Sequence, residues 1–271
     1  MNQRKPLKEL NLLDKFLFDE AMDDPENVKT MLDIILSQNT NLKHPPQTEK
    51  EQRTSMDNRQ IRLDVYAIDE DDVIYEVEAQ KENTHNLPKR SRLYQGIIDS
   101  KLLPPGVVDF NLLNEVLIVL IMPFDLFGYG LYRYTFQMKC EEVPELKLDD
   151  GATRIFLNTR GKHPELVSPE LIELLKYMER STDEVSRELK SKRIQEMHRR
   201  VCRIKASEKT EVKYMQSWEE KILIKQEGER IGLERINRLN QKLIEQGRFD
   251  DLTKATSDSN YQKKLLKEFK I

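Results

Sequence analysis

Between Asn11 and Leu36 the apolar residues recur at helical spacing: Leu12, Leu13, Phe16, Leu17, Met31, Leu32, Ile35 and Leu36. Asp24-Pro25-Glu26 interrupts the run. An Asp able to cap a helix, followed by Pro at the first helical position, predicts a stop and a restart there. The polar stretch from Ser37 to Arg59, with Pro45-Pro46, reads as a loop with room for a short strand. The period then changes to two. Ile61, Leu63, Val65 and Ala67 alternate with Arg62, Asp64 and Tyr66. After a turn at Asp69 to Asp72, Val73, Tyr75, Val77 and Ala79 alternate with Glu76, Glu78 and Gln80. Two such runs joined by a short polar turn predict a hairpin.

Lys89 to Leu103 reads as a helix ended by Pro104-Pro105-Gly106, and the continuous apolar run Glu115 to Met122 suits the centre of a sheet. Leu131 to Glu141 and Arg154 to Leu157 read as further strands, with turns marked by Gly128, Gly130 and Asp149-Asp150-Gly151. From Ser168 the pattern is helical. Ser168-Pro169-Glu170 starts a helix to about Arg180, Ser181 or Thr182 caps the next, and a third begins near Ser207. Gly228 and Gly232 are placed to loosen or bend that helix, and Gly247 to end it. This order predicts an α/β fold, a mixed sheet flanked by helices, followed by a helical C-terminal region. The expected division is 1–180 and 181–271.

At 271 residues, 38% hydrophobic and 34% charged, the chain is long enough for a sizeable core and rich in solvated helix. No apolar run approaches the roughly 18–20 residues of a membrane span. The polar Met1 to Leu10 does not resemble a signal peptide, so a cytoplasmic protein without membrane partners is expected. Cys140 and Cys202 are too few and too distant for a disulfide framework or a cysteine-rich zinc site. His44, His85, His163 and His198 have no ligand spacing to one another, so neither zinc nor histidine catalysis is expected. The net charge of −3 conceals an asymmetry: Arg180 to Ile271 holds 23 Lys/Arg against 16 Asp/Glu, net +7, and the remainder is net −10. The acidic part is suited to a cation and the basic part to a polyanion.

The sharpest local chemistry lies in the hairpin. Asp64, Glu76, Glu78 and Gln80 occupy one face of two adjacent strands, so their side chains converge. Carboxylates forced together repel unless a cation neutralises them, and Mg²⁺ takes such hard oxygen ligands together with phosphate oxygens. The same pattern also describes an ordinary solvated sheet face.

A resemblance adds to this reading. "IRLDVYAIDEDDVIYEVEAQ" resembles the R-x-D-V-Y-x-x-D, turn, E-x-Q signature of the PD-(D/E)xK nuclease superfamily, in its transposase-like or recombination-promoting (Rpn-type) branch. "LLDKFLFDEAMDDPENVKTMLDIIL", "LPKRSRLYQGIID", "FDLFGYGLYRYTF", "IFLNTRG" and "LLKYMERST" resemble further family segments in order, as do "YMQSWEE" and "EGERIGLERI" near the end. The resemblance covers about Leu12 to Ile236. It implies a restriction-endonuclease-like core over 1–180 and a metal-dependent DNA endonuclease, linked to recombination, mobile elements or defence, with Mg²⁺ or Mn²⁺ as the cofactor and no small-molecule cofactor. Carried over by position, Asp64 and Glu78 become metal ligands, and Gln80 stands where many superfamily members have lysine. Leu63 stands where the motif's proline would be. Glu20 on the first helix is a further metal-ligand candidate, with Asp14 and Asp19 as competitors. Arg90, Arg92, Tyr94 and Gln95 are candidates for nucleic-acid contact. Glutamine brings no positive charge, so the alternative is a weak or inactive nuclease fold acting as a nucleic-acid- or partner-binding module.

In the basic region, Lys190, Lys192, Arg193, Arg199, Arg200, Arg203 and Lys205 could follow a phosphate backbone. Val185, Leu189, Ile194, Met197, Val201 and Ile204 form a narrow apolar seam for another helix, from this chain or from a second copy in a homodimer.

Overall fold

The computed structural model describes residues 4–52 and 61–271. The N-terminal helical pattern resolves into α1 (Lys15–Met22) and α2 (Pro25–Leu36), broken where the sequence predicts. Asp24 caps α2 by accepting from the Glu26 backbone N–H at 3.0 Å, with Pro25 in the first turn. Leu17, Phe18, Ala21 and Met22 of α1 and Val28, Met31, Leu32, Ile34 and Ile35 of α2 are buried.

Among the described residues six strands form one mixed sheet, β1 (Gln47–Gln52), β2 (Ile61–Ile68), β3 (Ile74–Ala79), β4 (Val116–Met122), β5 (Arg133–Phe136) and β6 (Ala152–Asn158), in the order β1-β2-β3-β4-β6-β5. The short strand allowed for in the polar stretch is β1; the part of that stretch over 53–59 lies outside the described residues. The β2–β3 hairpin is antiparallel, and β4 runs parallel to both β3 and β6, at the sheet centre as its apolar run requires. The strand expected over Leu131 to Glu141 is shorter. Its pairing with β6 stops at Phe136↔Arg154, and the chain beyond turns back on itself through a Lys139↔Lys147 bridge.

Between β3 and β4 the chain crosses over through α3 (Leu87–Asp99), the connection that parallel neighbours need. Leu87, Tyr94, Ile97 and Ile98 of α3 pack with Tyr66, Ile74, Val116, Ile118 and Leu120 of the sheet. Side chains alternate along a strand, so Ile74, Glu76 and Glu78 share one face. The crossover helix therefore covers the very face that carries the acids, and all six residues of β3 are buried.

The β2–β3 turn is organised by one buried carboxylate. Asp69 accepts from the backbone N–H groups of Asp71 (3.0 Å) and Val73 (2.9 Å) and from the Tyr75 hydroxyl (2.6 Å).

The helices after the sheet are α4 (Pro169–Glu179), α5 (Asp183–Glu188) and α6 (Lys192–Lys205), capped by Ser168, Thr182 and Ser191. Ser181 does other work: its hydroxyl accepts from the Leu12 backbone N–H at 2.9 Å. Val185, Leu189, Ile194, Met197 and Val201 are buried, and α6 packs on α1, α2 and α4. The apolar seam is thus used within the chain. This is why the first compact unit extends to Thr210 rather than to the expected boundary at 180.

The second unit, Glu211–Ile271, contains most of α7 (Glu208–Glu245) together with α8 (Phe249–Ser257) and α9 (Ser259–Glu268). Leu239, Leu243, Ala255 and Leu265 form its buried cluster. Helix α7 runs on through Gly228 and Gly232, and Gly247, at φ 68°, follows its end. Among the described residues no helix is long and apolar enough to cross a membrane.

Removing the Asp69 carboxylate takes the acceptor from the buried Tyr75 hydroxyl and from two part-buried backbone N–H groups. Asp69→Ala is expected to destabilise the fold by about 2–4 kcal/mol. Urea denaturation checks this: the midpoint should fall with an unchanged slope.

Candidate active site

Extending the hairpin register Val65↔Val77 by one step brings Asp64 opposite Glu78. Glu76 lies two residues back on the same face as Glu78. The three acids are not on a solvated face: Asp64 is 6% exposed, Glu78 8% and Glu76 0%. Neither Glu76 oxygen has a hydrogen-bond partner among the described residues, and neither does Glu78 Oε2. Asp64 also accepts from the Ala79 backbone N–H.

Two basic side chains enter the cluster from helices. Lys15, on the first turn of α1, places Nζ 2.5 Å from Asp64 Oδ1 and 3.1 Å from Asp19 Oδ2, with Glu49 Oε1 at 4.0 Å. Lys15 and Asp19 are four residues apart and so share one helix face. Arg90, in α3, places Nη2 2.5 Å from Glu78 Oε1 and 2.5 Å from Gln80 Oε1. Gln80 Nε2 donates to the Glu82 carbonyl at 2.5 Å, so both ends of this amide are engaged. Lys81 bonds Asp14.

The electrostatics follow from burial. Desolvation, then the charges of Glu78 and Asp64, drives the Glu76 carboxyl well above the usual carboxylate range. Burial raises Glu78 and Asp64 too, against the opposing pull of Arg90 on the first and Lys15 on the second. Burial pushes Asp19 up to about 7; Lys15 pulls it down, and Asp64 and Glu49 push it further up. Burial works against the Lys15 ammonium, but Asp64 and Asp19 outweigh it and hold its pKa above the ordinary lysine value. Fully ionised, these four acids would carry two charges more than Lys15 and Arg90 offset. That excess equals the charge of one divalent cation. Unpartnered buried carboxylate oxygens are hard-ligand positions of the kind Mg²⁺ or Mn²⁺ takes, so the residues present fit such an ion.

The structure sorts the sequence candidates. Asp64, Glu78 and Gln80 come together. On α1 it is Asp19 whose charge acts on Asp64; Glu20 is one residue further, turned about 100° around the helix. Asp14 is held by Lys81 and by the Asn11 backbone N–H. Arg90 is bound to the cluster rather than presented outward, and Tyr94 (8% exposed) and Gln95 (7%) are buried, which leaves Arg92 as the exposed member of its group. Lys15 was not singled out in the sequence, although its i, i+4 relation to Asp19 on the helix preceding the hairpin was visible there.

No protein-family model, no curated protein and no solved structure matches this chain.

The raised carboxyl groups set a pH dependence. Near pH 6–7 the folded chain retains protons on groups such as Asp19, at about 7, that the unfolded chain releases near pH 4. Stability contributed by these groups is complete below about pH 4 and is lost as pH rises toward and through 7. Thermal melts in EDTA should show Glu76→Gln gaining on the wild type as pH increases from 5 to 8. A constant difference across that range would contradict the assignment.

Proposed function

We propose that this protein is a divalent-metal-dependent DNA endonuclease that hydrolyses phosphodiester bonds, with Asp64 and Glu78 holding the ion and Asp19 and Glu76 completing the acidic site. The observation that carries this reading is three buried carboxyl groups and a part-buried fourth, Asp19, beside two cations among the described residues, with three carboxylate oxygens lacking partners. A solvated sheet face needs no such arrangement, and a purely structural cluster gains nothing from an unpaired buried acid. The resemblance to PD-(D/E)xK nucleases points the same way, and DNA is the substrate it implies.

When bound, Mg²⁺ or Mn²⁺ would polarise a phosphate oxygen and acidify a water molecule. The chain's own groups divide the remaining tasks. Asp19, at about 7, is tuned to take a proton near neutral pH. The Lys15 side chain is 40% exposed, so its ammonium would meet a phosphate brought to Asp64 and offset developing charge there. Lys15 thereby supplies the charge that Gln80 lacks. Gln80 is a positioning residue: its carbonyl holds the Arg90 guanidinium on Glu78. The exposed Lys190, Lys192, Arg199 and Arg203 offer phosphate contacts outside the site. A homodimer would place two such sites on opposite strands, using a surface other than the internal α6 seam.

The pairing of Lys15 with Asp64 and Arg90 with Glu78 favours one second reading, in which these cations permanently replace the metal and the fold binds nucleic acid without cutting it.

Supercoiled plasmid cleavage separates the two. The wild type should nick or linearise DNA with Mg²⁺ or Mn²⁺ and not in EDTA. Asp64→Ala and Glu78→Ala should each lose at least about a hundredfold in rate, and Lys15→Met about ten- to a hundredfold. Folded wild type that binds plasmid without cutting it in either metal would establish the second reading.

A further inference from the structure

A second polar cluster lies on the helices after the sheet, within the first compact unit. His198 and Cys202 are four residues apart on α6, so both side chains leave the same face of that helix. Asp183, the first residue of α5, reaches them from the neighbouring helix. His198 Nε2 lies 2.8 Å from Asp183 Oδ1 and 3.4 Å from Cys202 Sγ, and that sulfur is 3.7 Å from the same Asp183 oxygen. On its other side His198 Nδ1 meets the hydroxyl of Tyr177 at 3.0 Å, and Tyr177 is fully buried beneath the imidazole.

One alternative for a cysteine, a histidine and an aspartate is a nucleophile with its base. That arrangement needs the acid on the ring nitrogen remote from the thiol, where it fixes the tautomer and supports the imidazolium. Here Asp183 and Cys202 both crowd onto Nε2, and Tyr177 occupies Nδ1. A second alternative, a simple His–Asp ion pair, accounts for neither the sulfur nor the buried hydroxyl on the far nitrogen.

Convergence of one nitrogen, one sulfur and one carboxylate oxygen is what ligands around a single ion do. With Zn–S near 2.3 Å and Zn–N or Zn–O near 2.0–2.1 Å, tetrahedral ligand atoms stand about 3.3–3.6 Å apart. The separations of 3.4 and 3.7 Å match, and the 2.8 Å Asp–His contact needs only to open slightly. A histidine that binds metal through Nε2 must carry its proton on Nδ1 and give it to an acceptor, the position Tyr177 fills. We propose that Asp183, His198 and Cys202 form a zinc site with three protein ligands, its fourth position open to the pocket lined by Glu196, Arg199 and Arg203. The arginines there favour an anion or a water molecule as the fourth ligand. This inference is independent of the nuclease reading.

Cobalt(II) tests it, because a Co²⁺–thiolate bond absorbs strongly in the near ultraviolet and oxygen ligands do not. Metal-stripped full-length protein, kept reduced, is titrated with Co²⁺ and then with Zn²⁺. The wild type should develop the thiolate band to a plateau near one equivalent, and Zn²⁺ should abolish it. Cys140→Ser should behave like the wild type, and Cys202→Ser should show no band. No band in the folded wild type at excess Co²⁺ would overturn the proposal without reference to any variant. So would a band that survives in Cys202→Ser. Ion bound at the Asp64 and Glu78 cluster would give no such band, so the two sites fail separately.

Discussion

The structure depends most on a conflict within β3. A parallel crossover requires α3 to lie against the sheet, and α3 lies on the face that carries Glu76 and Glu78. Burying apolar surface there stabilises the fold, while desolvating acids opposes it. Arg90 from α3 and Lys15 from α1 offset the cost at two of the acids, while burial and the neighbouring acids drive the Glu76 carboxyl well above the usual carboxylate range. Each helix therefore serves twice, sealing the core and carrying a charge into it. A chain selected for stability alone would place apolar residues at these positions. That it does not is the physical reason for treating the cluster as functional.

Much of this was legible in the sequence. The break at Asp24-Pro25, the hairpin alternation around Asp64 and Glu78, and the uninterrupted apolar run of β4 each arise from short-range rules, and each is present in the fold. Periodicity also placed Asp64, Glu76 and Glu78 on a common face. It did not reveal that the face is covered, because a strand pattern reports which residues share a side and not what packs against it. The same limit applies to Lys15, Asp19 and Arg90, whose roles come from tertiary packing of α1 and α3 against the hairpin. The strand expected to reach Glu141 ends at Phe136: the alternation of Met138 and Cys140 with Gln137, Lys139 and Glu141 continues in the sequence, but the chain there leaves the ladder with β6 for the Lys139↔Lys147 bridge.

The helices after the sheet carry a similar lesson. The seam of Val185, Leu189, Ile194, Met197 and Val201 could be read equally as an internal contact or as an interface between copies. Its burial against α1, α2 and α4 assigns it to the chain's own core. Spacing among histidines alone gave no hint of a metal. The Asp183, His198 and Cys202 cluster combines three residue types from two helices, and only the packing of α5 on α6 brings them together.

The central claim is that the hairpin acids are poised for a divalent cation while the metal-free fold keeps some of them protonated. Calorimetric titration with Mn²⁺ near pH 6.5, in buffers of different ionisation enthalpy, reads binding and proton exchange together. The account predicts a saturable site that releases about one proton or more per ion, because ligands must be deprotonated to bind. It also predicts that Asp64→Ala and Glu78→Ala each abolish the binding. Absence of binding, or binding without proton release that persists in both variants, would contradict it.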